Sequence, residues 1–283
     1  MGSPALIPTV AGVRAWRAMR LRDNASVALV PTMGNLHAGH AALIDAARQT
    51  ADFVIVSVFV NPTQFGPGED YETYPRTLEQ DRELAGEHDA DAVFAPTVAE
   101  MYPHGPENPV RVQMPAELTD QLCGAQRPGH FTGVASVVSR LLNIAQPDYA
   151  LFGEKDYQQL MVIRRLAEEL FMDTEIIGVP TVREADGLAL SSRNQYLTAN
   201  EREQAPALYR ALVSARDALR GGAQIEQVEA RGRAALAAAG FEPEYFEVRH
   251  AATLGTPQAG EPRVALAAGW LGKARLIDNI RID

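Results

Sequence analysis

The stretch Val27-Ala-Leu-Val-Pro-Thr-Met-Gly-Asn-Leu-His-Ala-Gly-His40 decides the fold of this chain. Its apolar start predicts a short strand over 27–30, and the apolar spacing over 38–50 predicts a helix. Gly34 and Gly39, in the loop between them, allow a ligand to approach the backbone closely. A strand that leads through such a loop into a helix favours anion binding, because the N–H groups and the dipole at the helix N-terminus attract negative charge.

The alternation of strand and helix continues to about residue 180. The apolar patterns predict strands over 53–60, 92–95, 148–152 and 174–179, and helices over 77–88, 134–145 and 156–171. This order predicts an α/β fold, a Rossmann-like parallel sheet with helices on both faces and right-handed crossovers. Ligands of such sheets bind at the carboxyl ends of the strands.

The sequence changes in character after about residue 182. Two alanine-rich helical stretches, 199–221 and 224–239, are followed by strand-like segments over 245–249, 263–268 and 274–282. We therefore predict two domains, a Rossmann-like domain over 1–181 and a smaller C-terminal α+β domain over 182–283.

Composition excludes several classes of protein. With 26 basic and 36 acidic residues among 283, the net charge of −10 argues against general nucleic-acid binding, which needs a basic surface. A single cysteine, Cys123, excludes an internal disulfide framework and a multi-cysteine metal site. The apolar run 53–60 is far shorter than the ~20 residues of a membrane span, and neither a signal peptide nor a myristoylation pattern is expected. We expect a cytoplasmic protein without a membrane partner.

Two histidines in the opening stretch are candidates for phosphate binding. His37 and His40 bracket Gly39 at the predicted strand–helix junction, and imidazole N–H groups donate hydrogen bonds to phosphate oxygens. The alternative is that each histidine only caps or packs against the helix. Zinc binding is weakly indicated, because no third ligand lies nearby in the sequence.

Two further polar clusters follow predicted strands. Gln64 ends Asn-Pro-Thr-Gln after the strand 53–60, where its amide could bind a small polar acid or only make a turn hydrogen bond. Lys155 lies in Gly-Glu-Lys-Asp after the strand 148–152, and the 26 basic residues include only two lysines. Its compact ammonium suits phosphate, although the cluster could simply cap the following helix.

Several motifs together resemble a known family. His37-Ala-Gly-His40 is similar to the HxGH motif of the nucleotidyltransferase superfamily related to class I aminoacyl-tRNA synthetases. Four further blocks resemble the pantothenate synthetase (pantoate–β-alanine ligase) family, in family order and over essentially the whole chain. These blocks are Phe59-Val-Asn-Pro-Thr-Gln-Phe-Gly66, Arg127-Pro-Gly-His-Phe131, Gly153-Glu-Lys-Asp-Tyr-Gln-Gln159 and Leu190-Ser-Ser-Arg-Asn194.

The resemblance implies a ligase of the coenzyme A pathway. Pantoate would be activated by ATP as pantoyl adenylate, with release of pyrophosphate, and β-alanine would then displace AMP to give pantothenate. Mg²⁺ would accompany the ATP. The resemblance also implies a homodimer, and a C-terminal domain that closes over the active site of the nucleotide-binding domain.

The resemblance also assigns site residues. The catalytic group would be His40, as proton donor, with His37, Lys155 and Arg193. The implied ATP-binding residues are Met33, Gly34, Asn35, Leu36, His37, Ala38, Gly39, His40, Gly153, Glu154, Lys155, Asp156, Val182, Leu190, Ser191, Ser192 and Arg193. Gln64 and Gln159 would bind pantoate, and Arg127 and His130 would be further phosphate contacts.

Two other functions remain as alternatives. One is an HxGH adenylyltransferase that acts on a phosphate ester, although the neutral pair Gln64 and Gln159 favours an uncharged polar acid over a phosphate. The other is an inactive nucleotide-binding regulator, which would not need the complete set of histidines with Lys155 and Arg193. In the ligase family Leu190-Ser-Ser-Arg193 takes the place of the synthetases' KMSKS loop, and its lack of a lysine matches the ligases.

Overall fold

A computed structural model describes residues 3–282, and its larger sheet is parallel throughout, in the order β1-β4-β3-β2-β5-β6. The strands are β1 (Ala5–Ile7), β2 (Val27–Thr32), β3 (Phe53–Val58), β4 (Ala92–Phe94), β5 (Tyr149–Gly153) and β6 (Glu175–Val179). Alternate residues of β2 enter different apolar clusters, Val27 and Leu29 one and Ala28 and Val30 the other. Strand side chains alternate between faces, so this sheet is covered on both, and the predicted Rossmann-like α/β fold is confirmed.

Helices connect these strands. They are α1 (Val10–Arg22), α2 (Ala38–Thr50), α3 (Leu78–Glu87), α4 (Val98–Met101), α5 (Ala116–Thr119), α6 (Cys123–Gln126), α7 (His130–Ala145) and α8 (Tyr157–Glu169). Helix α2 packs one face of the sheet through residues such as Ile44, while α7 and α8 pack the other. The first strand and helix were not predicted. Strand β1 has only three residues, too few for a periodic signal, and it is held by pairing with β4.

The C-terminal part forms a separate sheet of three antiparallel strands, β7 (Glu242–His250), β8 (Arg263–Leu271) and β9 (Ala274–Ile282). It is packed by α9 (Ala199–Gln204), α10 (Ala207–Arg220) and α11 (Ile225–Ala238). The stretch 199–221 is helical as predicted, but it is not continuous. Two helices stand there, and they meet at Pro206, which has no backbone N–H to continue a helical ladder.

The carboxyl ends of β2 and β5 separate, and this opens a crevice. Strand β2 pairs with β3 from Val27 to Thr32, but with β5 only at Ala28 and Leu29. Pro31 therefore lies beyond the last residue paired with β5, where its missing N–H leaves no gap in the ladder. Strand β2 lies between β3 and β5, so the crevice stands where the strand order reverses, the usual ligand position in such sheets.

Within residues 3–282, no helix combines the length and apolar character needed to cross a membrane. The prediction of no signal peptide or myristoylation concerns a segment that begins with Met1 and Gly2, which lie outside the described residues, as does Asp283.

Candidate active site

The crevice contains a cavity of about 230 Å³ at the carboxyl ends of β2, β3 and β5. Most of the predicted site residues line it: Met33, His37, Gly39, His40, Gln64, Gly153, Lys155, Asp156, Gln159, Val182, Leu190, Ser191, Ser192 and Arg193. A second cavity of about 700 Å³ adjoins it, extends to the C-terminal sheet, and shares Lys155, Asp156, Gln159, Ser191 and Arg193 as lining. The two cavities together leave room for a nucleotide and a smaller substrate.

The two histidines cap the N-terminus of α2 reciprocally. His37 Nδ1 accepts a hydrogen bond from the Gly39 N–H (3.1 Å), and His40 Nδ1 accepts one from the His37 N–H (3.3 Å). Each Nδ1 is therefore an acceptor without a proton, and the ring proton lies on Nε2. The backbone N–H groups of His37 and Gly39 are used in this cap, and that of His40 donates to the His37 carbonyl (2.8 Å), so none of the three is free to bind an anion. The imidazole Nε2–H groups are left as the donors.

Both imidazoles are neutral at neutral pH. Burial, reinforced by the Lys155 ammonium, lowers the pKa of His37 to about 4. Burial, with His37 and Lys155 adding to it, lowers the pKa of His40 to about 3. These side chains therefore act as uncharged hydrogen-bond donors, and Lys155 supplies the positive charge beside them.

Lys155 stands on a short 3₁₀ turn, Glu154–Asp156, between β5 and α8. Its Nζ lies 3.1 Å from Asp156 Oδ2, and although desolvation alone would raise the pKa of Asp156, the ammonium holds that pKa below its usual value. Asn279 of β9 donates through Nδ2 to the carbonyls of Glu154 (2.8 Å) and Lys155 (3.0 Å). The C-terminal sheet therefore fixes the backbone that presents the lysine.

A hydrogen-bond network fixes the orientation of the Gln64 amide. Asn61 Oδ1 accepts from the Tyr102 hydroxyl (2.6 Å), so Asn61 Nδ2 is the donor to Gln64 Oε1 (3.0 Å). The Gln64 side-chain nitrogen, Nε2, lies 3.2 Å from Met33 Sδ. This sulfur is only a weak acceptor, and Met33 also lines the cavity. The side chain thus offers an N–H donor at this wall, suited to a carboxylate or hydroxyl oxygen.

Two acidic residues of one loop form ion pairs with two arginines that were predicted to contact phosphate. Arg193 Nη2 lies 3.2 Å from Asp70 Oδ1, and Arg127 forms a two-fold contact with Glu69 at 2.7 and 2.6 Å. Arg127 also donates to His130 Nε2 (3.0 Å), so the Nδ1–H of His130 donates to the Gln64 carbonyl (2.8 Å). The carboxylates of Glu69 and Asp70 thus neutralise both arginines.

Five of the predicted ATP-binding residues do not line the smaller cavity. They are Gly34, Asn35, Leu36, Ala38 and Glu154. The Asn35 and Leu36 amides donate instead to the Asp81 carboxylate, on the side of helix α3. Gly34, Asn35 and Leu36 therefore support the wall of the smaller cavity without lining it. Their assignment as ATP contacts remains a prediction.

The sequence matches the pantoate-beta-alanine ligase family over residues 5–281. The chain belongs to this family. It is 55% identical to the pantothenate synthetase of Azotobacter vinelandii, over 98% of each chain. It is 53% identical to that of Pseudomonas entomophila, over 97% of this chain and 96% of the relative.

Solved structures of pantoate–β-alanine ligases have the same fold. The pantothenate synthetase of Thermus thermophilus superposes with a TM-score of 0.89 at 48% identity, over 98% of this chain and 99% of that chain. The Francisella tularensis ligase, solved with beta-gamma ATP and β-alanine, gives a TM-score of 0.80 at 36% identity, over 98% and 97%. The recognition made from the sequence motifs is therefore confirmed.

Sequence reasoning about this ligase missed three residues that support the site. Asn61 follows β3 in the same block as Gln64, so its position after a strand could have singled it out. Asp81 and Asn279 carried no such signal, since they act on segments 45 and 125 residues away in the chain. Only the packing of the helices and sheets brings them to the site.

Proposed function

We infer that this chain catalyses the ATP-dependent condensation of pantoate with β-alanine to give pantothenate, AMP and pyrophosphate. The observation that carries this inference is one cavity that presents two neutral imidazole donors and Lys155 together with the amides of Gln64 and Gln159. The first set suits the phosphates of ATP, and the second suits a small hydroxy acid that carries a single carboxylate and no phosphate. The Francisella relative solved with a nucleotide and β-alanine supports the same reaction.

The proposed chemistry has two steps. A pantoate carboxylate oxygen attacks the α-phosphorus of ATP, and the bond from that phosphorus to the oxygen of the leaving pyrophosphate breaks. The β-alanine amine then attacks the acyl carbon of pantoyl adenylate, AMP leaves, and the amine loses a proton. Charge grows on the α-phosphate oxygens in the first step, so the fixed Nε2–H donors and Lys155 supply the stabilisation.

Magnesium enters this proposal as the ion of the MgATP substrate. Among residues 3–282, no cluster of three or more His, Cys, Asp or Glu side chains could hold a metal ion alone. Mg²⁺ that arrives with a nucleotide is commonly bound through one or two carboxylates, water and substrate phosphates. Asp156 lines both cavities and is the carboxylate best placed to assist.

The proposal also includes two domains, a homodimer and a cytoplasmic location. The division into domains over 1–181 and 182–283 is supported by the separation of the two sheets, and Asn279 suggests how the second closes on the first. A homodimer rests on the family resemblance and is testable by light scattering. A cytoplasmic location accords with the use of ATP.

Product analysis tests the proposed function. The protein is incubated with ATP, Mg²⁺ and pantoate, with and without β-alanine, and products are separated by mass. Pantothenate and AMP that form only with both substrates, with pyrophosphate, are expected. In a parallel incubation that supplies a phosphate ester and no amine, transfer of AMP onto that ester would instead support the disfavoured adenylyltransferase. ATP binding without turnover would contradict catalysis.

Replacing Gln64 with alanine is expected to raise the KM for pantoate about tenfold or more, because a hydrogen bond to a charged group is worth about 1.5–3 kcal/mol. The KM for ATP should change little. Gln64→Glu should be more damaging still, since a carboxylate offers no donor and repels the substrate's charge. Steady-state kinetics with each substrate varied check this, and an unchanged pantoate KM in both variants would remove Gln64 from pantoate binding.

Three partly buried histidines predict a stability that falls at mildly acidic pH. The folded-state pKa values are about 4 for His37, about 3 for His40 and about 4 for His130, below the ordinary value of 6.5. Above pH 6.5 both the folded and unfolded chains hold these rings neutral. Between about pH 6.5 and 4 only the unfolded chain takes up protons, so the free energy of unfolding decreases as the pH falls.

Urea denaturation at pH 7, 6 and 5 measures this loss, in a window above the titration of most carboxylates. The variant His130→Gln should show a shallower decrease than the unmodified protein. A free energy of unfolding that is level from pH 7 to 5 would contradict the neutral assignment of these rings.

A further inference from the structure

Asp81 is a buried carboxylate outside both cavities, and the proposed chemistry does not use it. Asp81 lies on helix α3, and only 2% of the residue is exposed. Oδ1 accepts from the Leu36 N–H (2.7 Å) and from the Thr77 hydroxyl (3.2 Å), while Oδ2 accepts from the Asn35 N–H (3.2 Å). Each of its oxygens therefore receives a donor from the loop that precedes His37.

The donors around Asp81 are all neutral. Among residues 3–282, Asp81 forms no ion pair, whereas several other carboxylates, such as Asp91 and Asp148, pair with an arginine. Burial of a carboxylate is costly unless its oxygens accept hydrogen bonds, and here two backbone N–H groups and the Thr77 hydroxyl supply them. The carboxylate is therefore tied specifically to the Asn35–Leu36 backbone.

This backbone makes a tight left-handed turn, which glycine adopts freely and asparagine tolerates. Gly34 and Asn35 are both left-handed, with φ of +83° and +52°. A Cβ at Gly34 would lie 2.9 Å from Asp81 Oδ2, so the carboxylate packs directly against the turn. The Gly34 N–H is fixed from the other side by Thr32 Oγ1 (3.1 Å).

The turn ends at His37, which begins helix α2 and forms the reciprocal cap with His40. A shift of the Asn35–Leu36 peptide would move the His37 N–H, the donor that keeps His40 Nδ1 unprotonated. It would thereby disturb the positions and tautomers of both Nε2–H donors. A displacement of about 1 Å in such groups can cost about 10²-fold in rate.

We propose that Asp81 is a positioning residue, whose carboxylate holds the Asn35–Leu36 turn so that the His37 and His40 Nε2–H groups face the nucleotide phosphates. This inference deepens the proposed function and rests on it for its kinetic part. It predicts that Asp81 affects the use of ATP and the tautomers of the two histidines, beyond any effect on stability.

The test compares Asp81→Asn with the matched control Asp148→Asn. Asp148 also accepts a backbone N–H, that of Val27 (2.7 Å), but at the opposite end of β2 from the site. Asn at 81 places an NH₂ against one of the two amides, because only one of its side-chain atoms can accept. We expect kcat/KM for ATP to fall about tenfold to 10²-fold in Asp81→Asn, with the pantoate KM changed less than threefold. The ATP and pantoate constants of Asp148→Asn should remain those of the unmodified protein.

Nitrogen-15 NMR of the imidazoles gives a readout independent of catalysis. In the unmodified protein, His37 and His40 should show unprotonated Nδ1 and protonated Nε2. In Asp81→Asn at least His40 should show mixed tautomers, and in Asp148→Asn neither should change. If the unmodified protein makes no pantothenate, the proposed function fails, but this tautomer comparison still tests the positioning role.

Wild-type ATP kinetics and tautomers in a folded Asp81→Asn protein would overturn the proposal, as would equal kinetic losses in both variants. If Asp81→Asn does not fold, Thr77→Val serves instead, since it removes only the third hydrogen bond to the same carboxylate. A several-fold lower kcat/KM for ATP is then expected with normal pantoate binding, and unchanged ATP kinetics would overturn the positioning role.

Discussion

Replacing His40 with alanine is expected to lower kcat for adenylate formation by about 10²–10³, the usual effect of removing one donor to a transition-state charge. Its Nε2–H is fixed by the cap that Nδ1 makes with the His37 N–H, and the neutral ring needs no proton uptake before ATP binds. Pyrophosphate exchange in the presence of pantoate measures this step without β-alanine.

Two variants sharpen the His40 prediction. His40→Gln can keep a donor near the position of Nε2, so it should retain much more activity than alanine if a neutral hydrogen bond is the main contribution. Equal losses in the two variants would favour proton transfer by the imidazole. His88→Ala is the matched control, because His88 pairs with Asp45 away from the cavities, and it should leave activity unchanged. Full activity in His40→Ala would exclude His40 from the mechanism.

Replacing Lys155 with arginine is expected to lower kcat by about 10², although the charge is kept. The ammonium lies on a 3₁₀ turn held by Asn279 from the C-terminal sheet, with Nζ 3.1 Å from Asp156. A planar guanidinium on this fixed backbone projects farther and directs its donors differently, so it cannot replace a compact ammonium at a phosphate oxygen. About 10²-fold is the scale expected for a catalytic group displaced by about 1 Å.

The chain provides an internal control for this substitution. Lys273, the only other lysine, lines the larger cavity but not the smaller one, and its side chain is exposed. Lys273→Arg should therefore leave kcat and the KM for ATP unchanged, while Lys155→Arg lowers kcat. Full activity in both variants would mean that any cation suffices at position 155, and comparable losses in both would point to a general effect of arginine in the cavities.

The local pattern was sufficient for most of the larger sheet. Strand and helix alternate with clear periods, and the helix predicted over 38–50 is α2 with the same bounds. The apolar pattern failed where a strand is too short to show a period, and where a single proline interrupts a helical stretch. Strand β1 is too short to carry a period, and Pro206 divides a stretch whose alanine content suggests one continuous helix.

The candidate site was predictable to the extent that it is local in sequence. His37, His40, Gln64 and Lys155 all follow strands, and parallel strands place such residues at one edge of the sheet. Their chemical state was not predictable. The neutrality of the two imidazoles depends on burial and on Lys155, and the orientation of the Gln64 amide depends on Tyr102 through Asn61.

The sequence by itself determined most of the order of strands and helices, the HxGH motif and the family, because each is encoded by spacing over a few residues. Only the tertiary structure decided which atoms are free to act. Helix α3 brings Asp81 to the turn before His37, and strand β9 brings Asn279 to the turn of Lys155. Hydrogen bonds and desolvation act over a few ångströms in space, whatever the separation along the chain, so these assignments had to await the packing of distant segments.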